Sequence, residues 1–294
     1  MRRKFYTVLR GSSKVLTVVP DKTPIVVLQR GGNRPPFFMI DSYPYFIDVV
    51  RLLGAEQPVL SLIGQQATQT SDAYSIADEA TSHVKTMLEW LPNGPFMLGG
   101  CSASGIVAYE IAQQLRACGR DVDLLVMFDT HNTRFMREYS RFWMSLAHYR
   151  ADLSRLNWID VPGWATDKLR GLFDRNLTEM RRRSNPGDGA YGSTAQFEPL
   201  SSRILAAREY RPKPYEGRFL LFKRRPQLPG RYQDPHYGWR ELVKGTFDIF
   251  NVSSLGHNDI FRSELDRLVV ANALLKCIDE VMEASSANLS LGVA

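Results

Sequence analysis

The segment PFMLGGCSASGIVAYEIAQQLRACG, residues 95–119, runs from a short apolar stretch straight into a helix-period stretch, with only small residues between them. So abrupt a step needs a turn at which strand and helix nearly touch, and such a turn tolerates only small side chains. A strand this apolar, with its own helix folded back on it, belongs to a sheet covered by helices. The side chain at the turn itself is lifted above the sheet at a helix N-terminus. There the dipole and the free N–H groups favour negative charge.

The rest of the chain repeats this rhythm. TPIVVLQRGGNRPPFFMID reads as two strands about a Gly/Pro turn, an antiparallel edge strand and then a central one. YPYFIDVVRLLG has helical spacing and stops at Gly54, and QPVLSLIG is a short buried strand. SIADEATSHVKTMLEWLPNG is an amphipathic helix capped by Ser75, with Glu79 near the capping-box position and Pro92-Asn93-Gly94 as its end. DVDLLVMFDT, GRFLLFKRR and GTFDIFNVSS are further strands, followed by a last helix, SELDRLVVANALLKCIDEVMEA. The alternation predicts an α/β fold with a mainly parallel, doubly wound sheet. From His131 to about Leu200 the pattern turns helical and rich in arginine and aromatics, interrupted by SNPGDGAYGST. This predicts an inserted helical lid, with a mobile loop at 184–194. The expected organisation is an N-terminal extension at 1–23 (an extra strand pair or a linker remnant), a core at 24–130 and 201–285, the lid at 131–200, and a disordered tail at 286–294.

Composition removes other classes. The chain has 294 residues and 44% apolar content, enough for a sizeable core. No apolar run reaches the roughly 18–20 residues of a membrane helix, and the basic N-terminus does not read as a signal peptide. Cys101, Cys118 and Cys277 are odd in number and lack CxxC spacing, which predicts reduced thiols, a cytoplasmic setting and no zinc site. The net charge of +6 favours acidic partners at long range, while the absence of zinc-finger spacing or an RNP-like pattern argues against nucleic acid. There is no HExxH, no GxGxxG and no P-loop, so no metal or redox cofactor is expected.

Two serines compete for the turn. Gly100-Cys101-Ser102-Ala103 fits the nucleophile-elbow pattern G-x-S-x-G except that Ser104 takes the second glycine position, with Gly105 next. Were Ser104 the nucleophile, Ile106 would crowd the elbow, so Ser102 is the candidate. The bland alternative is a Ser102 that merely caps the helix. It loses weight because Asp129 ends the next strand and His257 lies in SSLGHNDIF, after the last strand. Ser, Asp, His is the chain order of the α/β-hydrolases. His131 is a second-choice residue that could line the site.

At this point the chain resembles a known family, the thioesterase domains of nonribosomal peptide and polyketide synthetases. LQRGGNRPPFFMID, LLGAEQPVLSL, GPFMLGGCSASGIVAYEIAQQLRACGRDVDLLVMFD, YRPKPYEGRFLLFKRR, DPHYGWREL and GHNDIF follow that family's blocks in order, over about residues 24–285. The resemblance implies an α/β-hydrolase fold with Ser102 as nucleophile, Asp129 as orienting acid and His257 as base. It implies an acyl chain delivered on the phosphopantetheine arm of an acyl or peptidyl carrier protein. It also implies an oxyanion hole from the Ala103 N–H and an N–H of Ser42 or Tyr43, since Pro44 has none to give. Ser104, and the loop reading Asp41-Ser42-Tyr43-Pro44, depart from the family's usual glycine and its usual His followed by small residues and glycines. Cys101, His131, Phe142, Trp143 and Tyr149 are candidate substrate contacts, and Arg181, Arg182 and Arg183 with Arg170 and Arg175 a candidate face for an acidic carrier. The expected activity is release of the chain by hydrolysis or cyclisation. Acyl transfer, a carrier-independent esterase and a non-catalytic carrier-binding module remain as alternatives.

Overall fold

The computed structural model describes residues 6–7, 17–18, 25–41, 45–64, 74–132, 198–224, 234–254 and 260–291. The chain divides into two compact units, Met1–Glu138 with Ser201–Arg225 and Asp234–Ala294, and Tyr139–Leu200 with Pro226–Gln233. Apart from residues 198–200, the second unit lies outside the described residues, and with it most of the stretch expected to be the lid.

The first unit is built in the order β1 (Tyr6–Thr7), β2 (Thr17–Val18), β3 (Ile25–Gln29), β4 (Phe37–Ile40), α1 (Ile47–Leu52), β5 (Val59–Leu62), α2 (Ile76–Trp90), β6 (Phe96–Cys101), α3 (Ala103–Ala117) and β7 (Val122–Phe128). It continues with α4 (Glu198–Glu209), which belongs to it from Ser201 on, β8 (Phe219–Arg224), β9 (Phe247–Val252) and α5 (Glu264–Leu291). The strands form one sheet in the order β1-β2-β3-β5-β4-β6-β7-β8-β9. The run from β5 to β9 is parallel; β1, β2 and β3 are antiparallel to their neighbours. Continuous burial of FFMI in β4 and VLSL in β5 reflects a sheet covered on both sides. Phe38, Ile40, Leu60 and Leu62 pack with α2 and α3 on one face. Phe37, Met39 and Val59 pack with α1 and α5 on the other.

Three expectations are corrected. The strand at 25–29 is not an edge, because β2 pairs along it, and its other neighbour is β5 and not β4. Glu79 does not complete a capping box. Ser75 caps α2 by accepting from the Asp78 N–H at 3.3 Å, and the Glu79 carboxylate is engaged elsewhere. The last helix does not end near residue 285: its backbone continues through Leu291, where a tail was expected. The run SSANLSL contains no glycine or proline, and the first breaker is Gly292.

The connections set the position of the site. From β4 the chain crosses to β5 on one side; from β6 it crosses to β7 on the other. The carboxyl ends of β4 and β6 therefore border the crevice at which doubly wound sheets bind ligands.

Candidate active site

The turn between β6 and α3 does not have the geometry of a serine cap. Ser102 has φ 56° and ψ −124°, far from the extended backbone of an N-cap residue, and its side chain makes no capping hydrogen bond. A non-glycine residue at such a φ is strained, and the neighbours hold it there. The Ser102 N–H donates to the Phe128 carbonyl at 3.0 Å, and the Ser102 carbonyl accepts from Thr130 Oγ1 at 3.2 Å and from the Gly105 N–H at 3.1 Å. The close approaches fall at Gly100 and Gly105. A Cβ on Gly100 would run into the Ser104 carbonyl, and one on Gly105 into the Thr130 side chain. Position 104 is not one of them: Ser104 Oγ accepts from Arg203 Nη1 at 3.2 Å. The serine that departs from the elbow pattern has a partner of its own.

Cys101 is not a reactive thiol. Burial, reinforced by the Asp129 carboxylate, pushes its thiol up to about 12, so little thiolate exists at neutral pH.

Asp129 stands one residue past β7, beside the Ser102 turn. Its φ of 47° is again left-handed, and its side chain is fully buried. Oδ2 pairs with Arg224 Nε at 2.5 Å, and Oδ1 accepts from the Tyr237 hydroxyl at 3.2 Å. That pairing is what allows a carboxylate to stay buried at the sheet edge. The same loop braces the strand end twice more. The Trp239 indole donates to the Thr130 carbonyl at 2.8 Å, and the Asn132 side chain donates to the Gly238 carbonyl at 2.6 Å. His131 lies flat on Tyr237, with ring centroids 3.7 Å apart.

His257 falls in 255–259, outside the described residues, but the segment before it is pinned. The Ser253 and Ser254 N–H groups donate to Asp266 at 2.6 and 2.8 Å, and both hydroxyls bond the same carboxylate. Burial alone would raise the Asp266 pKa; the hydrogen bonds from Ser254 and Ser253 outweigh it and hold the carboxyl below its ordinary value. After the segment, Ile260 and Phe261 are buried in the core.

A family model described as a thioesterase domain matches residues 48–174, which contain both the Ser102 turn and Asp129. Over those residues the chain is similar to thioesterase domains. Malpibaldin synthetase of Mortierella alpina is 26% identical to it over 239 residues, 78% of this chain but 4% of that synthetase. A dimodular nonribosomal peptide synthase of Bacillus subtilis is 28% identical over 82% of this chain and 10% of its own length. The chain thus spans a small part of the curated relatives it matches. The solved NocB thioesterase domain from the nocardicin cluster shares the fold, with a TM-score of 0.57, 20% identity, and coverage of 87% of this chain and 98% of that one. The fold is that of the α/β-hydrolases.

In the described structure Cys101, Ser102, Ala103, Asp129 and His131 gather at the carboxyl ends of β6 and β7. Ser42, Tyr43, Phe142, Trp143, Tyr149 and the arginines at 170, 175 and 181–183 lie outside the described residues. Three groups escape the sequence reading. Arg224 and Tyr237 hold Asp129, and Arg203 reaches Ser104. Tyr237 could have been noticed inside the block DPHYGWREL, whereas Arg203 carries no local signal at all. No described helix is long and apolar enough to cross a membrane, and no described cluster of His, Cys, Asp and Glu could hold a metal ion.

Proposed function

We propose that this domain releases an acyl, peptidyl or polyketide chain from the phosphopantetheine thioester of a carrier protein, through an ester on Ser102. The observation that carries the reading is the Ser102 backbone: a strained, positive-φ serine with no capping bond, beside a buried, paired Asp129. The fold, the family match and the synthetase relatives support it.

In this reading His257 takes the Ser102 proton as Oγ attacks the thioester carbonyl. The tetrahedral oxyanion is met by the Ala103 N–H, free because it opens α3, and by an N–H of Ser42 or Tyr43. Collapse expels the pantetheine thiol, protonated by the imidazolium. His257 then deprotonates the second nucleophile, water for hydrolysis or a hydroxyl or amine of the chain for cyclisation, and Ser102 is restored. Asp129 orients the imidazole and balances its charge. The chemistry needs no resident cofactor, since the pantetheine arm arrives on the carrier. The chain's net charge of +6 suits an acidic carrier.

Incubation with a medium-chain acyl-pantetheine thioester, followed by intact mass, tests this. An acyl adduct on wild type and Ser104→Ala but not on Ser102→Ala is expected. Undiminished adduct on Ser102→Ala would overturn the assignment. Equal turnover of simple aryl esters and acyl-pantetheine would favour a carrier-independent esterase.

A further inference from the structure

Arg203, on α4, reaches four residues of the first unit at once. Its Nε donates to the Tyr74 hydroxyl at 3.0 Å and to Glu79 Oε2 at 3.2 Å; Nη2 pairs with Glu79 Oε1 on α2; Nη1 pairs with Asp41 Oδ2 and donates to Ser104 Oγ. The guanidinium is largely buried, with 12% of the side chain exposed. Burial opposes its charge, but Asp41 and Glu79 more than offset this and raise its pKa. The cluster is closely fitted. The Gly64 N–H donates to Asp41 Oδ1 at 2.7 Å, and a Cβ on Gly64 would strike both Arg203 and Glu79. Beneath it, the fully buried His83 meets Glu79 Oε1 at 3.4 Å.

The partners matter because of where they stand. Ser104 lies in the first turn of α3, one residue past Ala103 and two past Ser102. Asp41, held at φ 47°, is the last residue before 42–44. Ala103, whose N–H is a proposed oxyanion donor, is therefore next to a residue held by the guanidinium that also holds Asp41 at the end of β4. Oxyanion donors act only within a few tenths of an ångström of their place. We infer that Arg203, with Ser104 as its partner on α3, is a positioning residue that fixes the first turn of α3, and with it the Ala103 N–H, for attack by Ser102. This rests on the Ser102 reading above. It also explains why a serine suits position 104. Its hydroxyl gives the arginine a handle on the elbow helix that glycine lacks.

The test is the rate at which a small alkyl fluorophosphonate labels Ser102, read by intact mass per folded molecule, with melting temperatures measured alongside. Arg203→Met should slow labelling by about tenfold or more, and Ser104→Gly by about fivefold, the size of one hydrogen bond. The double variant should be no slower than Arg203→Met alone, because the two residues act as a unit. Arg203→Lys keeps the charge but not the fork and should recover part of the rate. Labelling of Arg203→Met at the wild-type rate, or single effects that multiply in the double variant, would overturn the inference and leave the nucleophile standing. If Arg203→Met does not fold, an unchanged rate in Ser104→Gly is sufficient to overturn it. A wild type that takes no label on Ser102 would remove the nucleophile reading, and the inference with it.

Discussion

Arg224 and Asp129 form an ion pair at 2.5 Å, Nε to Oδ2, in which the carboxylate is fully buried and the guanidinium largely so. A buried pair adds little net stability, but breaking it leaves a charge with no counterion. Arg224→Met should lower unfolding stability by about 3–5 kcal/mol. Urea denaturation at neutral pH measures this. A loss below about 1 kcal/mol, the size expected of an exposed pair, would contradict it.

The second oxygen of Asp129 depends on Tyr237. Tyr237→Phe keeps the ring that stacks on His131 and removes only the hydroxyl at 3.2 Å. A hydrogen bond to a charged group contributes about 1.5–3 kcal/mol. Acylation of Ser102 should slow by about tenfold or more, with KM nearly unchanged, because in the proposed mechanism the carboxylate orients the imidazole and does not bind the chain. Steady-state kinetics on an acyl-pantetheine separates the two.

The Ser102 backbone gives a prediction of opposite sign. Glycine adopts φ 56°, ψ −124° without strain, whereas a serine there costs about 1–3 kcal/mol. Ser102→Gly should therefore raise the melting temperature while abolishing the acyl adduct. A fall in melting temperature would mean that the turn is not strained.

Gly100 should tolerate no side chain. Its Cβ would meet backbone atoms of Ser104 and Gly105, which cannot swing aside as a flexible side chain could. Gly100→Ala should cost about 1–3 kcal/mol and displace the elbow enough to stop phosphonate labelling. Thermal melts and intact mass together check it.

Asp266 makes stability depend on pH. Its carboxyl is held below the ordinary value of about 3.9 by hydrogen bonds from Ser254 and Ser253. A group with a depressed folded pKa contributes fully above its unfolded pKa and loses that contribution as pH falls through the folded one. The wild type should therefore lose stability as the pH drops below about 4, and Asp266→Asn should lose less over the same range. Urea midpoints of both proteins across that interval give the comparison.

The sequence by itself determined most of the elements of the core and the candidate nucleophile. Ser102 was legible because everything that marks it is contiguous: an apolar strand, Gly100, small residues and a helix within one short window. Asp129 was legible as a polar residue ending the next strand. The strand order was not, because it is a choice among distant partners. β3 pairs with β2 and β5, so its place inside the sheet depends on residues on both sides of it in the chain. Arg203 illustrates the remainder. It lies 99 residues from Ser104 and 124 from Glu79, and no spacing or pattern marks one arginine among the chain's many. Local sequence sets which backbone conformations are cheap, and so writes strands, helices and tight turns directly. The partners of a buried charge are set by which surfaces the packed core brings together, and only the tertiary structure decided that Arg203 would face Asp41, Glu79 and Ser104, and Arg224 would face Asp129.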